Sequence, residues 1–172
     1  MTKDITKGYS IWLIPDSEDG QGFQQNIQAL ANLFGSPLFS PHITLIGEVD
    51  LDLESLIDKF NQLQDTAEMQ DLCTLSIDYH DTFFRSIVYQ VAMSEALMNL
   101  NRTARRLFDR NSDPAYYPHL SLLYSNISEN EKREAIQKLD PIETIAFQAT
   151  EIHLIRTQGR VSDWELIQRV EL

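Results

Sequence analysis

The sequence predicts an α+β protein made of two repeated halves, and three observations support this fold class. Segments with the alternating apolar pattern of a strand occur between segments with the apolar period of a helix. The order strand, long helix, histidine-bearing strand, short helix, strand occurs twice, in residues 8–80 and again in residues 82–172. The pattern proline, histidine, apolar, hydroxyl, leucine stands at matching places in both halves, at 41–45 and 118–122.

The first half begins with "YSIWLIP" at 9–15, an apolar segment typical of a strand. The polar segment at 16–22 is expected to be a loop. A helix follows and is predicted to end at Gly35, because glycine is common just after the last helical turn. The buried face of this helix is predicted to carry Phe23, Ile27, Leu30, Ala31 and Phe34. The remaining elements are a short strand at 42–47, an amphipathic helix over 53–63 and a half-buried strand at 72–79.

The second half repeats this order from the strand "TFFRSIVYQVA" at 82–92. Ser94 is expected to cap the long helix. Ser128 and Glu131 have the spacing of a capping box, which predicts the start of a short helix that extends to Asp140. The other elements are the strand "HLSLLY" at 119–124, a long strand at 144–157, a turn, and a final strand at 164–172.

Length and charge limit the partners that this chain can have. The 172 residues suit one domain, 1–172, and repeated halves often pack about a local dyad, which would bring equivalent strands to a shared cleft. The formal net charge of −12 disfavours long nucleic acid, which needs a basic surface to release counterions. A small anion held by a few hydrogen-bond donors remains compatible with this charge.

The location of the protein is expected to be the cytoplasm. Cys73 is the only cysteine, so no internal disulfide is possible. The N-terminal segment is polar, and no apolar run approaches the roughly 20 residues that span a bilayer. The expectation is a soluble monomer with no membrane partner.

The two repeated motifs present the same pair of chemical groups. Side chains two places apart on a strand point to the same side, so His42 lies beside Thr44, and His119 lies beside Ser121. Histidine donates or accepts a proton near neutral pH, and a hydroxyl donates a hydrogen bond to an anionic oxygen. If the motifs face each other, they supply an acid, a base and two donors, which suits in-line attack on a phosphodiester.

Other interpretations of the motifs are weaker. A single strand histidine is usually structural, but two copies at matching places are harder to assign to packing. A zinc site is disfavoured because Ser and Thr are poor ligands and no Cys, Asp or Glu completes a set at either motif. A Ser-His nucleophile is disfavoured because side chains two apart on one strand point in parallel.

The motifs resemble the 2H phosphoesterase superfamily, and most closely the cyclic phosphodiesterases of plant and fungal type. The resemblance includes "YSIWLIP", "FSPHITL", "DTFFRSIVYQV", "YYPHLSLLYS" and "WELIQRVEL", and residues 58–71 fall outside it. It implies a bilobal fold with pseudo-two-fold duplicated lobes, each an antiparallel sheet with helices on its outer face. The active site would then be a cleft between the sheets.

The resemblance also implies roles for the motif residues. His42 and His119 would be the acid–base pair, and Thr44 and Ser121 would bind phosphate oxygens, with no metal or other cofactor. The substrates would be nucleoside 2′,3′-cyclic phosphates, opened to 2′-phosphates, and ADP-ribose 1″,2″-cyclic phosphate, opened to the 1″-phosphate. His119 is favoured as the base and His42 as the acid, although the sequence does not order them. Because one histidine must be neutral and the other protonated, a bell-shaped pH profile is predicted.

Two aromatic residues are further candidates by the same resemblance. Tyr124 would lie near the attacking water, but strict alternation from His119 points it to the opposite face, so a strand end or bulge is required. Phe84 would line the nucleobase site. For each the alternative is core packing, which is the expectation for Trp12. The other two histidines of the chain, His80 in a polar turn and His153 in the long strand, are excluded from the chemistry.

Two other functions stay open. One is an enzyme acting on RNA ends, such as a 2′-5′ RNA ligase-like or 3′-end-processing phosphodiesterase, which the acidic charge disfavours. The other is a non-catalytic nucleotide-binding protein on the same scaffold, which the intact motifs disfavour.

Overall fold

Strands and helices alternate along the chain, and the α+β class is confirmed. The computed structural model describes residues 4–139 and 144–172. The strands there are β1 (Tyr9–Pro15), β2 (Ile43–Val49), β3 (Gln70–Tyr79), β4 (Ile87–Val91), β5 (His119–Leu123), β6 (Ala146–Arg156) and β7 (Glu165–Glu171). The α-helices there are α1 (Ser17–Phe34), α2 (Leu53–Gln64), α3 (Glu95–Leu107) and α4 (Glu129–Lys138).

The strands form one antiparallel sheet in the order β1-β2-β5-β4-β3-β6-β7. β1 also pairs with β6, so the first six strands close into a ring and β7 extends from β6. The predicted antiparallel pairing is therefore confirmed. The expectation of a separate sheet for each half, with the cleft between two sheets, is not met, because strands from both halves pair into one sheet. The two histidine-bearing strands, β2 and β5, are neighbours in this ring.

Local capping explains where the helices begin and where α1 ends. Gly35 takes a left-handed conformation with φ of 61°, as expected for the residue after α1. Ser94 caps α3, and Ser128 forms a complete capping box with Glu131, as predicted. The prediction of a loop at 16–22 is wrong, because Asp16 accepts hydrogen bonds from two backbone N–H groups and starts α1 at Ser17. The predicted end of α4 at Asp140 lies outside the described residues.

The long helix of each half packs on the histidine-bearing strand of the other half. α1 contacts β5, and α3 contacts β2. Fully buried side chains such as Phe23, Ile27 and Leu97 form this core, together with Ile43 and Leu120 of the two histidine-bearing strands. Burying one such side chain contributes about 1.5–3 kcal/mol, so the backbone beneath both motifs is firmly held. None of the helices in residues 4–139 and 144–172 has the length and apolar character needed to cross a lipid bilayer.

Candidate active site

The pairing between β2 and β5 sets the arrangement of the two motifs. The strands are antiparallel and are joined at the pair Ile43 and Leu120. Extending this antiparallel register by one position on either side sets His42 against Ser121 and Thr44 against His119. Each histidine is therefore next to two hydroxyls, one along its own strand and one across the pair.

One cavity of about 280 Å³ contains both motifs. All six residues selected from the sequence line it: His42, Thr44, Phe84, His119, Ser121 and Tyr124. The two imidazoles thus share a cavity, although their positions in the chain lie in different halves. Both histidines and both hydroxyl residues therefore line one cavity, as predicted. The chemical role of each residue stays a prediction.

Both imidazole rings are oriented by the same backbone contact. Nδ1 of His42 lies 2.7 Å from the carbonyl oxygen of Ser40, and Nδ1 of His119 lies 2.8 Å from that of Tyr117. A carbonyl only accepts, so Nδ1 carries the proton in each ring, and the neutral ring has its lone pair on Nε2. Each neutral histidine can therefore accept a proton at Nε2.

Burial makes both histidines hard to protonate. Burial lowers the pKa of His42 to about 4, partly offset by the Ser40 carbonyl, and the charge of His119 lowers it further. Burial also lowers the pKa of His119 to about 4, and the nearby Arg85 contributes in the same direction. Near neutral pH the unliganded site therefore holds two neutral imidazoles.

The end of β5 brings Tyr124 into the cavity. Val88 pairs with Ser121 while the preceding Ile87 pairs with Leu123, so one extra residue of β5 interrupts the alternation, and the strand ends at Leu123. This is the irregularity that the sequence required for Tyr124. Its hydroxyl lies 3.4 Å from Nε2 of His42, and burial raises its pKa, so it stays protonated as a potential donor.

The chain matches a known family along almost its whole length. The family described as "Cyclic phosphodiesterase-like protein" matches residues 7–172. This chain belongs to that family. The resemblance seen in the sequence is confirmed, and the family membership confirms the expectation of a phosphodiesterase that hydrolyses cyclic phosphodiesters.

Named relatives of this cyclic phosphodiesterase-like protein agree with the family. It is 24% identical to a "Cyclic phosphodiesterase" of Arabidopsis thaliana, covering 96% of this chain and 93% of the relative. It is 23% identical to a "2′,3′-cyclic-nucleotide 3′-phosphodiesterase" of Kluyveromyces lactis, covering 95% of this chain and 98% of the relative.

Solved structures show that the fold is shared. E. coli LigT complexed with 3′-AMP superposes with a TM-score of 0.59 at 16% identity, covering 96% of this chain and 98% of LigT. A protein of Thermus thermophilus superposes with a TM-score of 0.65 at 11% identity, covering 96% of this chain and 97% of that protein.

Aromatic residues that form one wall of the candidate site were largely missed by sequence reasoning. Trp12 is buried, as expected, but it also lines the cavity and stacks on His42 with ring centroids 3.7 Å apart. Trp164 immediately precedes β7, contacts Trp12 edge-on at 5.6 Å, and stacks on Phe84 at 5.9 Å. No sequence spacing links positions 12, 84 and 164, so the contacts among these three rings are seen only once the strands are paired.

Polar groups at the rim also include residues that the sequence did not select. Ser10 reaches the cavity, and its hydroxyl is 3.0 Å from that of Thr157. Arg85 and Glu48 contribute the charged side chains of the lining. Among the described residues, no group of three or more His, Cys, Asp or Glu side chains is arranged to hold a metal ion.

The two excluded histidines do not line this cavity. His153 is paired with Glu151, with Nε2 and Oε2 2.7 Å apart. His80 is partly exposed, and its Nε2 lies 3.4 Å from the hydroxyl of Tyr117. Both therefore serve as controls for the two histidines of the candidate site.

Proposed function

We propose that this phosphodiesterase opens small cyclic phosphodiesters by two-histidine acid–base catalysis without a metal. Nucleoside 2′,3′-cyclic phosphates would give 2′-phosphates, and ADP-ribose 1″,2″-cyclic phosphate would give the 1″-phosphate. One observation carries the proposal: His42 and His119 share one cavity with the hydroxyl residues Thr44 and Ser121, and each imidazole has Nδ1 bonded to a backbone carbonyl.

The proposed reaction assigns one proton transfer to each histidine. Nε2 of His119 accepts a proton from water as the water oxygen forms a bond to phosphorus. The bond from phosphorus to the 3′ oxygen breaks, and Nε2 of protonated His42 gives its proton to that oxygen. Thr44 and Ser121 donate hydrogen bonds to the non-bridging oxygens of the phosphate. The Ser121 hydroxyl donates to the carbonyl oxygen of Phe84 at 3.0 Å in this structure, and it turns to the phosphate when the substrate binds.

The aromatic wall supports binding of a nucleoside next to the phosphate. We propose that Phe84, together with Trp164, contacts the nucleobase by stacking, which is tolerant of base identity. The apolar rings fit the flat faces of a nucleobase. The small cavity of about 280 Å³ fits a ligand the size of a mononucleotide.

We further propose that the two halves, 8–80 and 82–172, are duplicated lobes related by a dyad through the pair Ile43 and Leu120. The support is the reciprocal placement of His42 opposite Ser121 and of Thr44 opposite His119, together with the reciprocal packing of α1 and α3. We expect a monomer in the cytoplasm, where the single thiol of Cys73 would stay reduced.

The proposed function is tested by identifying the product. The protein is incubated with 2′,3′-cyclic AMP in EDTA, and phosphorus NMR is used to assign the phosphate of the product. Formation of 2′-AMP at a rate unchanged by EDTA is expected. An oligonucleotide with a 2′,3′-cyclic end serves as the comparison, because faster turnover of the oligonucleotide would favour an RNA-end enzyme.

Removal of the Tyr124 hydroxyl is expected to have a modest effect. Tyr124→Phe keeps the ring that stacks on Phe39 at 3.7 Å but removes the contact with Nε2 of His42. Loss of one neutral hydrogen bond costs about 0.5–1.5 kcal/mol, so kcat should fall by roughly 2- to 10-fold. Steady-state kinetics with 2′,3′-cyclic AMP measure this change. An unchanged kcat would make Tyr124 a packing residue.

A further inference from the structure

Arg85 lies where two cavities meet, and its position supports an inference that rests on the proposed function. It lines the cavity with His42 and His119, and it also lines a neighbouring cavity of about 210 Å³. Thr44, Gly47 and His119 border both cavities as well, so the two spaces adjoin along the β2–β5 pair. A group bound in the smaller cavity would therefore be close to a phosphate held between the histidines.

The smaller cavity is positively charged, although the protein as a whole is acidic. Arg85 and Arg105 both line it, and Asp113 is the carboxylate in its lining. Oδ1 of Asp113 already accepts a hydrogen bond of 2.8 Å from Nε of Arg110, so it does not neutralise the other two. The guanidinium of Arg105 is held in place by the carbonyl oxygens of Asp113 and Pro114. In a chain with a net charge of −12, this local excess of cations favours an anionic ligand.

The guanidinium of Arg85 is available to such a ligand. Within residues 4–139 and 144–172 it has no hydrogen bond or ion pair, and its side chain is exposed at the cavity rim. Arg110 differs, because it donates to the backbone oxygens of Gly47 and Glu48 as well as to Asp113. The positive charge of Arg85 helps to lower the pKa of His119, so Arg85 interacts electrostatically with the proposed catalytic group.

We propose that Arg85 is a specificity-determining residue whose guanidinium binds a second phosphate or diphosphate group of the substrate. The planar guanidinium presents paired N–H donors that match two oxygens of a phosphate. Arg105 would add charge without direct contact. The preferred substrates of this enzyme are then cyclic phosphodiesters that carry a further anionic group, rather than those whose only charge is the reacting phosphate.

The test uses two pairs of ligands that differ in one phosphate. In equilibrium binding, 2′-AMP is compared with adenosine 2′,5′-bisphosphate by calorimetry. In kinetics, 2′,3′-cyclic AMP is compared with its 5′-phosphorylated form. Arg85→Gln is expected to weaken binding of the bisphosphate roughly 10-fold more than binding of 2′-AMP, the size of one charged hydrogen bond. The ratio of kcat/KM for the two substrates should fall by a similar factor, and Arg85→Lys should restore part of it.

Arg106→Gln is the matched control, since it removes the same charge from an exposed position of α3 that lines neither cavity. An equal loss for both ligands of a pair would place Arg85 at the reacting phosphate and overturn the proposal. So would an unchanged ratio, or the same change in Arg106→Gln. If the wild-type protein turns over neither substrate, the proposed function fails, while the binding comparison still decides the role of Arg85.

Discussion

Replacing either His42 or His119 by alanine is expected to lower kcat for 2′,3′-cyclic AMP by roughly 100- to 10,000-fold, the usual contribution of a positioned acid or base. The two histidines line one cavity and in the proposed reaction act on the same bond exchange, so the effects of the two substitutions should not add. The double variant is expected to be little slower than the slower single variant. Steady-state rates with saturating substrate measure this.

His80→Ala and His153→Ala are the matched controls, because these histidines lie outside the cavity and should leave turnover nearly intact. Circular dichroism and thermal unfolding of each variant separate loss of chemistry from loss of fold. If a correctly folded His42→Ala protein keeps more than about a tenth of wild-type kcat, His42 is not the general acid.

The pH dependence of kcat/KM is the second large expected effect. The pKa of both histidines is lowered to about 4, and the proposed catalysis needs one of them protonated and one neutral. Above that pKa the fraction of free protein in this form falls about tenfold per pH unit. Over pH 5 to 8 only the alkaline side of the predicted bell should therefore be visible, and kcat/KM should decrease strongly.

The decrease of kcat on the alkaline side is expected at a higher pH than the decrease of kcat/KM. A bound phosphodiester is an anion, which favours a protonated imidazole beside it, and the face of Trp12 stacked on His42 favours the same charged form. Rates are to be measured at constant ionic strength, with full saturation curves at each pH. A kcat/KM that stays level from pH 5 to 8 would contradict two-histidine catalysis from buried neutral rings.

The sequence predicted those parts of the fold that depend on local interactions. Ser94 and the pair Ser128 and Glu131 marked helix starts, because a capping hydrogen bond involves residues within one turn. It failed at Asp16, where the same kind of bond was hidden in a segment rich in polar residues and glycine. It also placed Phe84 in a strand, whereas Phe83–Arg85 form a 3₁₀ turn before β4.

The candidate site was predictable only where its residues repeat a motif. His42 and His119 are each followed two positions later by a hydroxyl residue, and this spacing can be read from the sequence alone. No local pattern marks the other residues of the cavity. Strand pairing places Trp12 there, and turns next to strands place Arg85 and Trp164 there. The position of Tyr124 depends on an extra residue in β5, which alternation alone does not reveal.

A single residue pair joins β2 and β5 between the proposed acid and base. Ile43 and Leu120 are wholly inaccessible to solvent, and in the described part of the chain no second rung of the ladder fixes how far the two strands diverge. We therefore expect the separation of the two imidazoles to depend on the size of these two aliphatic side chains. Enlarging or trimming either one offers a way to tune the spacing of the imidazoles while leaving every reacting group in place.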